Sequence, residues 1–377
     1  MKVDVRGLEL VYGDFVAIRN LDLTIEDGQS VVLLGQSGCG KTSTMRCIAG
    51  LESPTRGSIS IGDKAVFDAA RGKAVPAFRR NVGMVFQSYA VWPHKTVLEN
   101  VAFPLKMKGV AKGDRRREVL AVLEVVGLAH LADRGASMLS GGQMQRVALA
   151  RSMAMAPGVL LLDEPLSNLD ARLRDDLRVE LRRIQVERGL TSLYVTHDQQ
   201  EALALADQIA IMQEGRVTQL GTPEEIYQAP ASASIASFLG VTNIYPVKPS
   251  ASSRHVELTD HSVTLRAATS PPDGPSSVCI RPEDVQVGLA PSAPAASADR
   301  DGTTNSFAGT VDVAVFQGSS IRCKVTTDSG LRIEAICPPP ATGHLSHGAR
   351  VMVRIDPERV KVVPNTVPEL AESVMAA

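Results

Sequence analysis
Gly35-Gln36-Ser37-Gly38-Cys39-Gly40-Lys41-Thr42 has the residue types and spacing to hold a chain of phosphates. The run fits G-x-x-x-x-G-K-[ST], after an apolar strand and before a helical stretch that opens with Ser43. Its glycines let the backbone curl so that successive N–H groups point inward at phosphate oxygens. Lys41 can reach the β- and γ-phosphates, Thr42 can hold Mg²⁺, and the following helix aims its N-terminus at the anion. Cys39 reads as a small filler in this loop, with a redox role as the other option.

Such a metal needs a second station. Leu160-Leu161-Leu162-Asp163-Glu164 supplies one, an apolar strand ending in two acids. Asp163 is placed to contact Mg²⁺ and Glu164 to polarise an attacking water. Paired acids at a strand end are usually only solvated; a phosphate loop in the same sheet reverses that reading. These features alone leave kinases, GTPases and motor ATPases open. Leu139-Ser140-Gly141-Gly142-Gln143 narrows the choice, 23 positions before Asp163 (163 − 140). A serine and two glycines opening a helix make another anion-binding helix end. Within the 122-residue interval from Lys41 to Asp163 (163 − 41), both ends could hardly serve one phosphate group of the same chain. The second is expected to read a γ-phosphate bound to a partner chain.

On these motifs the chain resembles the ATP-binding cassette subunits of ABC transporters, over nearly all of residues 1–365. The resemblance implies ATP and Mg²⁺ as ligands and gives roles to named residues. Tyr12 falls where the family stacks an aromatic on adenine, and residues 35–42 look like the Walker A loop. Gln87, in Val85-Phe86-Gln87-Ser88, matches the glutamine that senses metal and attacking water. Ser140, Gly141, Gly142 and Gln143 match the signature motif, while Asp163 and Glu164 match the Walker B aspartate and the catalytic glutamate. Ser167-Asn168-Leu169-Asp170 matches the D-loop, and His197 the switch histidine. The resemblance further implies a homodimer or paired cassette closing around two ATP molecules. Its other partners are membrane permeases, docking near residues 88–97, with an extracytoplasmic solute-binding protein acting indirectly. The chain is then peripheral, on the cytoplasmic face of the cell membrane. Tyr12 could instead pack the edge sheet, His197 could be a satisfied polar residue, and the lone Trp92 could belong to a core.

The elements that must position these groups are legible as an α/β pattern. Residues 31–34, 82–86, 159–163 and 193–196 are short apolar runs, suited to central strands of a parallel sheet buried on both faces. Helical stretches lie between them, at 115–126, 143–155 and 171–187. His197 follows one such strand as Asp163 follows another, so both belong at the carboxyl edge where open α/β sheets bind ligands. Residues 3–25 alternate in polarity about a Tyr12-Gly13-Asp14 turn and read as an antiparallel edge sheet. The fold class expected is an α/β P-loop NTPase over 1–240, with a helical subdomain at about 88–155.

After Gly240 the texture changes. Of 22 prolines, 14 fall in the last 137 residues (377 − 240), among short strands. An all-β, small-barrel (OB-like) domain is expected over 241–365, followed by a flexible tail at 366–377. Residues 278–287 realign with 353–362, 75 positions later (353 − 278), with Val, Ile, Pro, Glu, Val and Val identical. Two related β units packed together would produce this. Residues 289–304, rich in Ala, Pro and Ser, read as a mobile loop. The domain resembles the paired small-barrel, TOBE-type regulatory domain of importer cassettes for sugars, polyamines and ferric iron. Its Arg281-Pro282-Glu283-Asp284 segment is typical there, and residues 89–94 look closest to iron- and polyamine-type cassettes.

Composition sets the remaining bounds. The 40 basic and 41 acidic residues nearly cancel and aromatics are 4%, which argues against a nucleic-acid partner. Five cysteines without a CxxC pair imply neither a disulfide framework nor a zinc knuckle. Met1-Lys2-Val3-Asp4 has acid where a signal peptide is apolar, and no run approaches the roughly 20 residues of a spanning helix. A chain kept in the cytoplasm is expected. Two other readings stand beside the importer ATPase: a soluble ABC ATPase acting on DNA or ribosomes, and an ABC-type regulator.

Overall fold
The four apolar runs become parallel neighbours in one sheet, in a computed structural model that describes residues 1–248, 254–289, 304–339 and 345–367. The chain divides into two units, Met1–Ile226 and Tyr227–Ala377. The first unit runs β1 (Val3–Tyr12), β2 (Phe15–Ile25), β3 (Ser30–Leu34), α1 (Lys41–Ala49), β4 (Arg56–Ile61), β5 (Lys64–Asp68), β6 (Lys73–Ala74) and β7 (Val82–Val85). Helices α2 (Val97–Met107), α3 (Lys112–Val125) and α4 (Gly141–Met153) follow. Then come β8 (Val159–Asp163), α5 (Ala171–Arg188), β9 (Ser192–Thr196), α6 (Gln199–Leu205), β10 (Gln208–Gln213) and β11 (Arg216–Gly221).

The parallel sheet has the order β11-β10-β3-β9-β8-β7, with β11 antiparallel to β10. Every residue of β3, β8 and β9 is buried, as continuous apolar runs require of strands covered on both faces. On one face Val31, Leu33, Leu161, Leu193 and Val195 join a core with α1 and an antiparallel sheet of order β2-β1-β4-β5-β6. Truncating any of these leucines to alanine would cost about 2–5 kcal/mol. β7 differs from expectation: it ends at Val85 and is an edge strand, with alternate residues only half-buried. An apolar run of this length cannot tell an edge that one helix layer covers from a strand flanked on both sides.

The helical subdomain is α2 packed on α3 and α4. Capping chemistry sets its boundaries. Thr96 and Glu99 form a reciprocal capping box at α2, and Ser140 and Gln143 another at α4. That box starts α4 two residues before the expected Gln143, since the two glycines form its first turn. α3 likewise begins at Lys112 rather than at Arg115.

Helix α7 (Pro223–Gln228) spans the division between units. The second unit continues with α8 (Ala233–Phe238), β12 (Asn243–Pro246), β13 (His255–Glu257), β14 (Thr264–Arg266), β15 (Ser276–Ile280) and β16 (Val285–Leu289). Its last strands are β17 (Asn305–Phe316), β18 (Ile321–Thr327), β19 (Arg332–Cys337), β20 (Arg350–Ile355) and β21 (Lys361–Pro364). Five of the unit's strands form a sheet β16-β20-β17-β18-β19 whose end strands lie against each other, as in a small barrel. The sequence repeat is a strand, a 3₁₀ turn and a strand, made once as β15–β16 and again as β20–β21. The two copies exchange strands: Val278 pairs with Val362, and Val287 with Val353. These two pairs are equivalent under the 75-residue offset, so the copies are related by a local pseudo-two-fold. Most of the expected mobile loop (290–303) and the end of the tail (368–377) lie outside the described residues.

Candidate functional site
Four strand ends deliver the candidate residues to one sheet edge. β3 runs into the 35–42 loop, β7 stops two residues before Gln87, β8 ends at Asp163 and β9 precedes His197. The register pairs Leu34 with Thr196 and Asp163 with Val195, so these exits are level. In the 35–42 loop, Gly38 and Gly40 take left-handed φ of 82° and 101°. A Cβ on Gly40 would lie 2.5 Å from the Ala17 carbonyl oxygen, and one on Gly35 would lie 2.3 Å from that of Met212. Helix α1 starts without a side-chain cap, leaving its first N–H groups for a ligand. Lys41 is buried and donates from Nζ to the carbonyl oxygens of Gly35 (2.8 Å) and Gln36 (2.9 Å). Gln36 and Ser37 line the loop's outer turn, exposed, while Cys39 is buried against it.

Thr42 Oγ1 donates to Asp163 Oδ1 at 3.1 Å, bringing the two expected metal contacts together. Burial pushes the Asp163 carboxyl above its ordinary pKa, opposed by the Thr42 hydrogen bond and the Arg46 charge. Among the described residues no three His, Cys, Asp or Glu side chains form a metal cluster. One hydroxyl and one carboxylate fit a hard cation that takes its other oxygens from phosphates and water.

Beside this pair the Glu164 carboxylate is held from two sides. His197 Nδ1 lies 3.1 Å from Oε1, and Gln87 Nε2 donates to Oε2 at 3.2 Å. Glu164 itself is left-handed, φ 42°, with its N–H bonded to the Val195 carbonyl at 3.0 Å. Ser167 Oγ donates back to the Glu164 carbonyl (2.9 Å), and Asn168 Nδ2 donates to that of Gln87 (3.0 Å). A cleft opens here, lined also by Arg174 and Asp198.

The other expected residues lie apart from this cluster. Ser140 and Gln143 satisfy each other across the α4 cap, while Gly141 and Gly142 face Leu169 and Leu173. A Cβ on Gly142 would lie 2.6 Å from Leu173 Cδ2, so the signature glycines let α4 abut the start of α5. Asp170 caps α5, accepting from Leu173 N–H at 3.0 Å. Tyr12 is half exposed at the end of β1; its hydroxyl donates to Glu52 (2.6 Å) and meets Ser43 of α1.

Several supporting residues are absent from the sequence reading. Buried Arg80 donates to the Cys47 and Ile48 carbonyls at the C-terminal end of α1 (2.7 and 3.1 Å). Glu201 has the Asp198-x-x-Glu201 spacing of a capping box. Instead it turns inward and accepts from Thr196 (2.7 Å) and Tyr194 (2.9 Å). Burial pushes its carboxyl above the ordinary pKa. Thr196 in turn accepts from Asp198 N–H at 2.9 Å, which pins the turn that carries His197.

Residues 18–167 match the ABC transporter family, and residues 278–363 match the TOBE domain. The Fe(3+) ions import ATP-binding protein FbpC of Brucella melitensis is 46% identical over 321 residues, 85% of this chain and 86% of its own length. The trehalose/maltose import ATP-binding protein MalK of Thermococcus litoralis is 50% identical over 230 residues, 61% of this chain and 62% of its own. Among solved structures, cbiO1 from Clostridium perfringens, part of the ABC transporter complex cbiONQ, aligns with a TM-score of 0.55 at 29% identity, covering 60% of this chain and 90% of that one. A dimeric, post-hydrolysis ATP-binding cassette, MJ0796 bound to ADP and Pi, aligns with a TM-score of 0.51 at 30% identity, covering 59% and 98%. The chain belongs to the ABC transporter family, as an ATP-binding, ATP-hydrolysing importer subunit that carries a C-terminal TOBE domain.

Proposed function
We propose that two copies of this chain close around two ATP molecules and drive ferric iron import through membrane permeases. The observation that carries the catalytic part is the Glu164 carboxylate, held between Gln87 and His197 beside the Thr42–Asp163 pair. On binding ATP, Lys41 leaves its own loop carbonyls for the β- and γ-phosphates, and the uncapped start of α1 receives them. Thr42, Asp163 and Gln87 would hold Mg²⁺, which would supply neutralisation of the charge on the transferring phosphoryl group. Glu164 accepts the proton of the attacking water as the bond to the β-phosphate breaks, and His197 orients that water against the γ-phosphate.

Ser140 and Gly142 read the γ-phosphate of the partner copy, while Asp170 and Gln143 shape that cross-chain surface and Tyr12 stacks on adenine. In support, Ser140 and Gln143 have no hydrogen bond to the 35–42 loop of their own chain among the described residues, and the MJ0796 cassette is described as a dimer. The motor is assigned to 1–240, with helical subdomain 88–155, past the division between compact units after Ile226; 241–365 is a regulatory β module, followed by a tail at 366–377. Among the described residues no helix is long and apolar enough to cross a membrane, in keeping with a peripheral subunit that borrows its permeases. Ferric iron is favoured over sugar because the FbpC match extends over 85% of this chain and the MalK match over 61%. Loss of Glu164 is the direct test. Glu164→Gln should lower ATP turnover about 10²-fold or more while retaining bound ATP. Undiminished turnover would remove Glu164 from the mechanism. In the reconstituted complex, ferric-loaded binding protein should stimulate ATPase activity and maltose-loaded binding protein should not.

A further inference from the structure
Between Gln87 and α2 the backbone takes a path that side chains resist. Tyr89 and Ala90 are consecutive left-handed residues, with φ of 60° and 48°, a conformation costly to any residue bearing a Cβ. The Tyr89 ring is buried and its hydroxyl has no partner among the described residues, a second cost. Such a segment persists only where its surroundings over-determine it.

Local bonds close the turn, Tyr89 N–H to the Phe86 carbonyl (2.9 Å) and Ala90 N–H to the Ser88 carbonyl (2.7 Å), and one side chain from another element grips it. Arg151, on α4, donates from Nη2 to the Tyr89 carbonyl at 2.9 Å and from Nη1 to the Ala90 carbonyl at 2.7 Å. Its guanidinium carbon also lies 4.9 Å from the centre of the Trp92 ring. Trp92 is closed on Asn100 of α2 through both its N–H (2.9 Å) and its carbonyl (3.1 Å). Among the described residues no carboxylate pairs with Arg151. Its partners are main-chain carbonyls and one aromatic face. A rigid fork can take two successive carbonyls only when both point the same way, and the left-handed pair arranges that.

The position of this contact is what gives it meaning. Residue 88 follows Gln87, whose amide touches Glu164 and Ser167 (3.2 and 3.5 Å). Arg151 lies on the helix that Ser140 caps. We propose that Arg151 is a positioning residue for ATP hydrolysis: it locks the strained 88–92 segment onto α4, so that Gln87 and the signature end of that helix move as one body. This rests on the roles proposed above for Gln87 and Ser140. Without the fork the segment relaxes to an ordinary conformation, and Gln87 no longer reports the state of the γ-phosphate to α4.

The test is kinetic, on the full-length chain. Arg151→Ala should lower kcat about tenfold or more, because small displacements at a reacting centre are costly. The Kd for a fluorescent ATP analogue should stay unchanged, since the phosphate cradle is untouched. Arg151→Lys keeps the charge and loses the fork, so it should also be slow; if Arg151→Ala fails to fold, this variant carries the test. The discriminating arm is glycine rescue. In the Arg151→Lys background, Ala90→Gly lowers the cost of the left-handed path and should recover about fivefold in kcat. A general packing role for Arg151 would not respond to glycine at 90. A double variant no faster than Arg151→Lys, or an Arg151→Ala chain at the parental kcat, overturns the proposal. Gln87→Ala separates the levels: if it hydrolyses at the parental rate, the reading of Gln87 itself fails. If it is slow while the Arg151 variants are not, only the lock fails.

Discussion

Two loops leave the same edge of the parallel sheet and keep their shapes by opposite means. The 35–42 loop places glycine where its backbone turns left-handed, at Gly38 and Gly40. Its left-handed turns fall on glycine, and the side chain bonded to its carbonyls, Lys41, is its own. The 87–92 segment puts Tyr89 and Ala90 in the same region and borrows its shape from a guanidinium 62 and 61 positions away. The difference follows from the work proposed above for each. A phosphate cradle works best when it is the same before and after the ligand arrives. A sensor has to change, so its resting geometry is set by contacts that another element can withdraw.

The comparison is broken most severely by exchanging the two strategies. Gly40→Ala adds a Cβ 2.5 Å from the Ala17 carbonyl oxygen at φ 101°. Strain and backbone clash together should cost roughly 3 kcal/mol or more of stability and should abolish tight ATP binding. Thermal unfolding and an ATP titration would measure both. A Gly40→Ala chain with parental ATP affinity would mean that the loop's shape is not enforced by the missing side chain.

The rigid loop was legible in the sequence and the borrowed one was not, for a physical reason. Gly35, Gly40, Lys41 and Thr42 act within one turn of chain, so their spacing is their signal. The central strands were equally plain, because burial on both faces writes a continuous apolar run. The 75-residue β repeat could be read as a similarity, but the exchange of strands that pairs Val278 with Val362 is a long-range choice. Arg151 and Arg80 bind main-chain carbonyls, which every residue has, so no side-chain pattern marks them. Glu201 carried a misleading local signal: its spacing suits a cap, while burial beside Thr196 and Tyr194 turned it inward. The edge position of β7 was hidden for the converse reason, since its residues look like those of its central neighbours.

The acid that the intrinsic loop bonds through Thr42 has a cost of its own, in charge instead of backbone strain. Burial raises the Asp163 carboxyl above its ordinary pKa. A carboxyl with a raised folded-state pKa contributes stability below its unfolded value, and that contribution is lost as pH rises through the raised one. At neutral pH ionised Asp163 is therefore a liability until a cation meets it. Asp163→Asn should unfold at a higher temperature than the parent at pH 7, with the gain shrinking as pH falls into the carboxylate range. The same variant should lose ATPase activity. Equal or lower unfolding temperatures at pH 7 would mean that the Thr42 hydrogen bond outweighs desolvation at this site.

The smallest expected effect sharpens the comparison most. If the 87–92 segment is held in a costly conformation, Ala90→Gly in the otherwise parental chain should stabilise it, by about 1 kcal/mol. For a unit of this size that is roughly 2–4 °C in Tm. The sign matters more than the amount. Glycine ordinarily destabilises a folded chain through the entropy of the unfolded one, so a gain on replacing alanine is expected only where the native φ is left-handed. Opposite signs for Gly40→Ala and Ala90→Gly would separate a loop that carries its own geometry from one that is held in place. A loss of stability at Ala90→Gly would show that residue 90 is comfortable as it stands. Arg151 would then be gripping a loop that needs no holding, and the two loops would differ in sequence but not in kind.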